Sequence, residues 1–279
     1  MWITRVVALT GALSAAAWPV GAQARGPDTV AVRSGARRLR GLVWRPAGSG
    51  PFPAVLFTHG SNSASDPVSS EEPGALGPVF ARHGYVFLFL FRQGTGLSHD
   101  QGAADGDVMS RAFETGGVDN RNRVQLELLE TVELDAVRAG FAFLRQRRDV
   151  DPARVGLVGH SFGGSLTLLA AARDTAVRAV VVFGAAAASW GQSPALRARL
   201  LTAVAQTSAP VLFVHAANDY SVAPGESLAA EMQRRGRTSG LKIYPAFGRD
   251  VRDGHSLVFR SVATWESDVF GFLEAHVRR

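Results

Sequence analysis

The feature that most constrains the fold is the pentapeptide Gly159-His160-Ser161-Phe162-Gly163, together with the segments on either side of it. Residues 154–158 are a short run suited to a buried strand, and residues 166–172 have helical propensity. A sharp turn from a strand into a helix strains the backbone of its central residue, and glycine two positions before and after it avoids side-chain collisions. The pattern therefore predicts a strand, a tight turn that presents Ser161, and a helix.

Strand and helix patterns alternate along most of the chain. An antiparallel strand pair is expected at residues 29–33 and 39–44, and apolar strand candidates then recur between helical stretches. This alternation predicts an α/β fold with a mostly parallel central sheet, helices on both faces and the antiparallel pair at the N-terminal end. The later predicted strands are 54–57, 85–91, 155–158, 177–183, 211–214 and 241–244, and the predicted helices include 124–147, 224–235 and 257–277.

Two segments interrupt this alternation. Residues 92–122 are rich in Gly and Asp, and a loop of that length in a compact domain is typically functional or mobile. Residues 184–208 contain an alanine run, Trp190 and a predicted helix around residues 196–204. Both segments follow the carboxyl end of a predicted strand, where ligands bind in such sheets. Each is a candidate lid, and ordinary packing is the alternative.

The first 24 residues have the pattern of a signal peptide. Arg5 supplies positive charge, residues 6–20 are mostly apolar, and Ala22-Gln23-Ala24 has the small-x-small pattern of a cleavage site. We expect cleavage near Ala24 and export to the periplasm or the medium, leaving residues 25–279 as a single α/β domain. An uncleaved anchor is disfavoured because glycine, serine and proline interrupt the apolar run, and we expect no stable membrane insertion.

Composition excludes several other functions. The chain has no cysteine, so a cysteine nucleophile and thiolate metal sites are absent. Its net charge is +6, and all but one of its 30 basic residues are arginine. The arginine clusters lack interleaved aromatic residues, so we interpret them as solvated surface and expect no nucleic-acid partner. We find neither a His-Glu-x-x-His helix nor a phosphate-binding glycine loop, and expect no metal or organic cofactor.

A reactive serine needs a histidine base, which a carboxylate usually orients. His255 is the best base candidate, because it lies in a polar turn between the last predicted strand and the last predicted helix. Asp219, where a buried strand opens into a polar loop, is the best acid candidate. Asp250 and Asp253 are the fallback acids. The order Ser161, Asp219, His255 is the order found on a hydrolase sheet.

The turn Thr58-His59-Gly60-Ser61-Asn62 directly follows an early predicted strand. A backbone N–H of this turn is placed to pair with that of Phe162 and to hold the negative oxygen that forms during acyl transfer. We assign Ser61 and Phe162 as the two backbone donors of this oxyanion hole. Asn62 replaces Ser61 if the turn is one residue longer.

With these motifs in this order, the chain resembles the α/β-hydrolase superfamily over nearly all of residues 25–279. Residues 150–156 before the serine turn and residues 244–248 before the candidate histidine are similar to the branch related to dienelactone hydrolases, which grades into the prolyl-oligopeptidase-like peptidases. Dienelactone hydrolases proper usually carry a cysteine nucleophile, whereas this chain has Ser161. The segments that carry the resemblance are Thr58-His59-Gly60-Ser61, Arg92-Gln93-Gly94-Thr95-Gly96-Leu97-Ser98, Gly159-His160-Ser161-Phe162-Gly163-Gly164, Asn218-Asp219 and Asp253-Gly254-His255.

The resemblance implies a serine hydrolase that cleaves carboxylic esters through an acyl-enzyme on Ser161, and the predicted signal peptide adds export. Its partner would be a small-molecule ester, and no cofactor is implied. A serine peptidase is the nearest alternative. A non-catalytic binding protein on the same fold is a further alternative, since fold does not fix function. That last hypothesis requires an incomplete triad, and the complete set of Ser161, Asp219 and His255 argues against it.

Overall fold

Eight strands form one sheet in the computed structural model, which describes residues 26–65, 68 and 71–278. They are β1 (Asp28–Ser34), β2 (Arg37–Trp44), β3 (Phe52–Thr58), β4 (Val86–Leu90), β5 (Val150–His160), β6 (Val180–Phe183), β7 (Val211–Ala216) and β8 (Ser239–Tyr244). Their order across the sheet is β1-β2-β4-β3-β5-β6-β7-β8. The pairs β1–β2 and β2–β4 are antiparallel, and the other neighbours are parallel. The predicted mostly parallel sheet with an N-terminal antiparallel pair is confirmed.

Nine α-helices lie between and after these strands within the described ranges. They are α1 (Glu71–Arg82), α2 (Asp105–Glu130), α3 (Val132–Arg145), α4 (Phe162–Ala171), α5 (Pro194–Gln206), α6 (Ala223–Arg234), α7 (Val251–His255), α8 (Leu257–Arg260) and α9 (Val262–Leu273). Apolar residues of α3 to α6 pack with one face of the sheet, and those of α1, α8 and α9 pack with the other. The prediction of helices on both faces is confirmed.

Residues 92–122 are not the long loop that we expect from the sequence. A single 3-10 turn at Gly96–Ser98 follows β4, and α2 then begins at Asp105. The glycine pair that indicated a loop lies inside α2 and kinks it, with Gly117 at φ 65°. Acidic residues in the first turn of α2 interact favourably with the helix dipole, so they favour a helix start here.

Two predicted helices are each divided in the structure. The predicted helix 124–147 is the second half of α2 followed by α3, because Thr131 takes the non-helical angles φ −122° and ψ −112°. The predicted helix 257–277 is α8 and α9, with a break at Ser261 and a final π-helical turn at Glu274–Arg278. A helical periodicity survives such breaks, so it does not locate them.

Residues 184–208 are packed into the protein rather than held above it. The predicted helix around residues 196–204 is confirmed as α5. Its buried residues Leu196, Leu200 and Val204 belong to the apolar core on the α3–α6 face of the sheet. The turn before α5 accepts a hydrogen bond from Asn122 of α2. Ordinary packing therefore accounts for α5.

The close approach of α1 to β2 gives the first prediction. A Cβ atom added to Gly77 would lie 2.1 Å from the Trp44 ring, whereas one added to Gly74 in the same helix meets no described atom within 4 Å. We expect Gly77→Ala to lower the free energy of unfolding by about 1–3 kcal/mol through overpacking. The matched Gly74→Ala variant should raise it by about 0.5 kcal/mol. Urea denaturation of both variants checks the pair, and equal effects would contradict the packing explanation.

The predicted signal peptide, residues 1–24, lies outside the described residues, as does Arg25. Within the ranges that the structure describes, no helix combines the length and the apolar character that a bilayer crossing requires. Export therefore stays a prediction from the sequence.

Candidate active site

Ser161 lies at the carboxyl end of β5, the central strand that enters the predicted turn. Its backbone angles are φ 55° and ψ −119°, a conformation that residues with a side chain rarely adopt. The Ser161 N–H donates to the carbonyl of Phe183 at the end of β6, at 2.8 Å, and α4 begins at the next residue. The strained strand-to-helix turn expected from the pentapeptide is therefore present, and it presents the serine at the end of the sheet where strands β3 to β8 finish.

The structure explains both glycines of the pentapeptide. A Cβ atom at Gly159 would lie 2.5 Å from the carbonyl oxygen of Gly163. One at Gly163 would lie 2.1 Å from the carbonyl oxygen of Thr58 and 2.2 Å from that of His59. Real Cβ atoms do not approach backbone oxygens so closely, so any larger residue would displace the turn from the end of β3.

His255 and Asp219 come together although 36 residues separate them. Nδ1 of His255, at the end of α7, lies 2.7 Å from Oδ1 of Asp219 in the loop after β7. Asn218 connects the loop after β7 to the segment between β8 and α7, because its amide group donates to the carbonyls of Phe247 and Asp250. The ring of Tyr220 packs edge-on against the His255 ring at 5.1 Å. The histidine and the carboxylate therefore have the contact that a base and its orienting acid need.

A second histidine also holds the carboxylate. Nδ1 of His215, buried in β7, lies 2.9 Å from Oδ2 of Asp219, and the Tyr220 N–H donates to Oδ1 at 2.7 Å. Burial alone would raise the pKa of Asp219, but the hydrogen bonds from His215 and then His255 outweigh it and hold the pKa well below its usual value. Asp219 is therefore ionised at neutral pH.

The two fallback acids have other partners. The carboxylate of Asp250 accepts the N–H groups of Arg252 and Asp253 and so caps α7. Asp253 accepts the N–H of Arg249 and pairs with the guanidinium of Arg260. The structure places Asp219, and neither fallback acid, against the His255 ring.

His160 is a buried residue that contacts both the ring and the backbone of His255. Its buried ring lies 4.6 Å from the ring of His255, and its Nε2 lies 2.9 Å from the backbone carbonyl of that residue. Burial, followed by the nearby His255, lowers the pKa of His160 to about 3. The imidazole is therefore neutral, and its Nε2–H donates to the backbone carbonyl of His255.

The turn after β3 borders the serine. A Cβ atom at Gly60 would lie 3.3 Å from the Cβ of Ser161. No described atom accepts a hydrogen bond from the Ser61 N–H. The Phe162 N–H is the first of α4, and the first N–H groups of a helix have no partner within the helix. These two groups are the donors expected for an oxyanion hole.

Asn62, the alternative donor, is already engaged. Its N–H donates to Oδ1 of Asp105 at 2.9 Å, and its carbonyl accepts the Gly106 N–H at 2.8 Å. Both contacts fix the turn to the start of α2. The geometry therefore favours Ser61 over Asn62.

The arrangement suits nucleophilic attack by an alcohol with a histidine base. The structure brings five residues to the end of the sheet where the parallel strands finish, in the turns and helix ends that follow β3, β5, β7 and β8: Ser61, Ser161, Phe162, Asp219 and His255. Among the side chains of residues 26–65, 68 and 71–278, no group of three or more His, Asp or Glu residues is arranged to hold a metal ion.

A family model for the dienelactone hydrolase family matches residues 40–274, which is most of the chain. The chain belongs to the dienelactone hydrolase family. The dienelactone hydrolase of Anabaena variabilis has the same fold, with a TM-score of 0.64 at 20% identity over 92% of this chain and 100% of that one. The acylaminoacyl peptidase of Pyrococcus horikoshii gives a TM-score of 0.63 at 17% identity, over 89% of this chain and 40% of that chain.

This member of the dienelactone hydrolase family is also similar in sequence to a curated esterase. Esterase EstD of Thermotoga maritima is 31% identical over 144 residues, which is 52% of this chain and 30% of the relative. The chain thus spans less than a third of that relative's length. Family membership and this similarity together support hydrolase activity.

Two residues that contact the candidate triad were not assigned a role from the sequence. They are His215, which precedes the acid candidate, and His160, which is next to the nucleophile. The four-residue spacing from His215 to Asp219, across the end of β7, is the sequence signal that could indicate the His215 contact. No local signal marks the contact between His160 and His255, which are 95 residues apart.

The low pKa of His160 predicts a pH effect on stability. In the unfolded chain this histidine titrates near 6.5, whereas in the folded protein its pKa is about 3. The unfolded state binds more protons between these values, so the wild-type protein gains up to about 1.4 kcal/mol of stability per pH unit as pH rises. His160→Gln keeps a neutral donor and lacks this gain. The difference in unfolding free energy, wild type minus variant, should therefore rise from pH 4 to 6.5 in urea titrations, and a constant difference would contradict it.

Proposed function

We propose that the chain is a serine carboxylesterase that acts on small or medium carboxylic esters. The observation that carries the proposal is the position of Ser161 in a strained turn, at the same end of the sheet as His255. The Nδ1 atom of that histidine lies 2.7 Å from Oδ1 of Asp219. The similarity to an esterase supports the same activity.

In the proposed reaction, Oγ of Ser161 attacks the ester carbonyl carbon while Nε2 of His255 takes the serine proton. The carbonyl oxygen becomes negative and accepts hydrogen bonds from the N–H groups of Ser61 and Phe162. When the C–O bond to the alcohol breaks, His255 returns its proton to the leaving oxygen. A water molecule then attacks the acyl-enzyme in the same way, and the carboxylic acid leaves Ser161.

The matched test uses esters and amides of the same acyl groups. Purified protein is assayed against p-nitrophenyl esters from acetate to palmitate and against p-nitroanilides of the shorter acids. We expect turnover of short and medium esters, much slower amide cleavage, and stoichiometric labelling of Ser161 by a fluorophosphonate located by peptide mass spectrometry. Comparable amide and ester rates would instead indicate a peptidase. No turnover and no labelling would indicate a binding protein.

We propose in addition that the protein is exported with removal of residues 1–24, on the pattern of Arg5, the apolar run and Ala22-Gln23-Ala24. Expression of the full chain in a bacterial host, followed by cell fractionation and intact-mass measurement, tests this. A protein that begins at Arg25 outside the cytoplasm is expected. A full-length protein in the cytoplasm would contradict export.

A further inference from the structure

A buried ionic cluster contacts the turn after β3, and the proposed reaction does not use this cluster. Arg92, which follows β4, is 1% exposed. Its guanidinium lies 2.7 Å from a carboxylate oxygen of Asp105 at the start of α2, and 2.7 Å from one of Glu133 in α3. All three side chains are at most 2% exposed. Because these buried charges are no longer solvated by water, each of them depends on its ion-pair and hydrogen-bond partners within the cluster.

The same guanidinium holds the backbone of the turn. Nη1 of Arg92 donates to the carbonyl of His59 at 2.6 Å, and Nη2 donates to the carbonyl of Gly60 at 2.9 Å. The His59 ring completes the contact, since its Nδ1 lies 2.8 Å from the Gly60 carbonyl and its Nε2 accepts the Arg92 N–H at 3.1 Å. Two successive carbonyls are thus drawn toward one cation.

The direction of the Gly60 carbonyl decides the direction of the Ser61 N–H. Both groups belong to one peptide unit, and in a trans peptide the C=O and N–H point to opposite sides. With the Gly60 oxygen bound to Arg92, the Ser61 N–H points away from the cluster. The positive guanidinium also polarises this peptide unit, which strengthens its N–H as a donor.

We propose that Arg92 is the positioning residue of the oxyanion hole, because it fixes the peptide between Gly60 and Ser61 so that its N–H is free to bind the reacting oxygen. The inference rests on the proposed function, since only a tetrahedral intermediate on Ser161 requires such a donor. Asp105 assists by engaging the neighbouring Asn62 N–H.

Glu133 is the more dispensable anion of the cluster. Burial, only partly offset by the charge of Arg92, raises the pKa of its carboxyl to about 7. Its second oxygen has no hydrogen-bond partner among the described residues. Asp105, by contrast, keeps the N–H groups of Asn62 and Gly106 even without Arg92. Arg92 and Glu133 are therefore the pair to remove together.

Two variants test the proposal. Arg92→Lys retains a cation but cannot hold both carbonyls and both carboxylates with one ammonium group. The double variant Arg92→Met with Glu133→Leu replaces the arginine and one of its two carboxylate partners, and leaves Asp105 with the N–H groups of Asn62 and Gly106. Apolar replacement of a buried ion pair is often neutral for stability. We expect both to lose about 10- to 100-fold in kcat with little change in KM, because the lost contact acts on the transition state.

A matched control separates this effect from loss of stability. Arg147→Met removes another ion-paired arginine, which is partly buried and pairs with Asp149 at the amino end of β5, away from the site. It should lower the melting temperature and leave kcat unchanged. A boronic acid that mimics the tetrahedral intermediate gives the second readout. Its Ki should rise in the Arg92 variants by the factor by which kcat/KM falls.

Three results would overturn the proposal: a kcat for both Arg92 variants within about threefold of wild type, a change in KM alone, or a fall in kcat for Arg147→Met as large as that of an Arg92 variant with a similar melting temperature. If the wild-type protein hydrolyses no ester, the proposed function is itself wrong and this inference falls with it. Activity of the wild-type protein therefore distinguishes the two failures.

Discussion

Ser161→Ala should lower kcat for p-nitrophenyl esters by about 10⁴-fold or more, the loss expected when the nucleophile of a catalytic triad is removed. Alanine keeps the Cβ and the backbone of the turn, so the free energy of unfolding should fall little and fluorophosphonate labelling should disappear. The backbone strain at φ 55° remains in the variant. A residual rate from the oxyanion hole and binding is expected.

Ser165→Ala is the matched control, because Ser165 lies one helical turn further along α4 and its side chain is buried rather than presented at the site. Its activity and its labelling should equal those of the wild-type protein. Steady-state assays with titrated active sites check both variants. Full activity in Ser161→Ala, or labelling at a different serine, would remove Ser161 from the mechanism and with it the proposed function.

Asp219→Asn should lower kcat by about 10⁴-fold at neutral pH. The asparagine side chain occupies the same space, but an amide in place of the carboxylate no longer favours the His255 tautomer with Nδ1 protonated, so Nε2 is no longer free to take the serine proton. The hydrogen bond from His215 at 2.9 Å loses its charged acceptor as well. We expect KM to change much less than kcat, because the carboxylate acts on the histidine and not on the substrate.

Asp253→Asn is the control for this second variant. Asp253 is two residues from His255, yet it binds the Arg249 N–H and Arg260 instead of the ring. Its replacement should change kcat by less than about threefold. If Asp253→Asn abolished turnover while Asp219→Asn retained it, the acid would be misassigned and the 2.7 Å contact between Asp219 and His255 would be structural only.

The parts of the site that local sequence predicts are those whose geometry is local. The turn around Ser161 follows from two glycines at fixed spacing, and the sheet follows from alternating strand and helix patterns. The ring contact between His255 and Asp219 is not local, but both residues follow strands that finish at the same sheet edge, so topology alone brings them near.

The parts that the sequence does not predict depend on contacts across the core. Arg92 lies in one of the segments that resemble the α/β-hydrolase superfamily, but its proposed role depends on Asp105 and Glu133, which come from two different helices. The sequence does not predict the start of α2, because its Asp and Gly residues are also typical of loops. The structure shows why glycine is needed at residue 106, since it packs against the Asn62 carbonyl.

The sheet and the chemistry occupy different stretches of the chain. Strands β3 to β7 are buried over most of their length, with the core on both faces of the sheet. Four residues of the proposed site lie instead in the turns or short segments that follow four of the strands: Ser61, Ser161, Asp219 and His255. Random mutagenesis spread evenly over the gene would therefore mostly sample changes that impair folding. A combinatorial library confined to the residues around Tyr220, half-exposed beside His255, would keep the scaffold constant while the shape offered to a substrate changes.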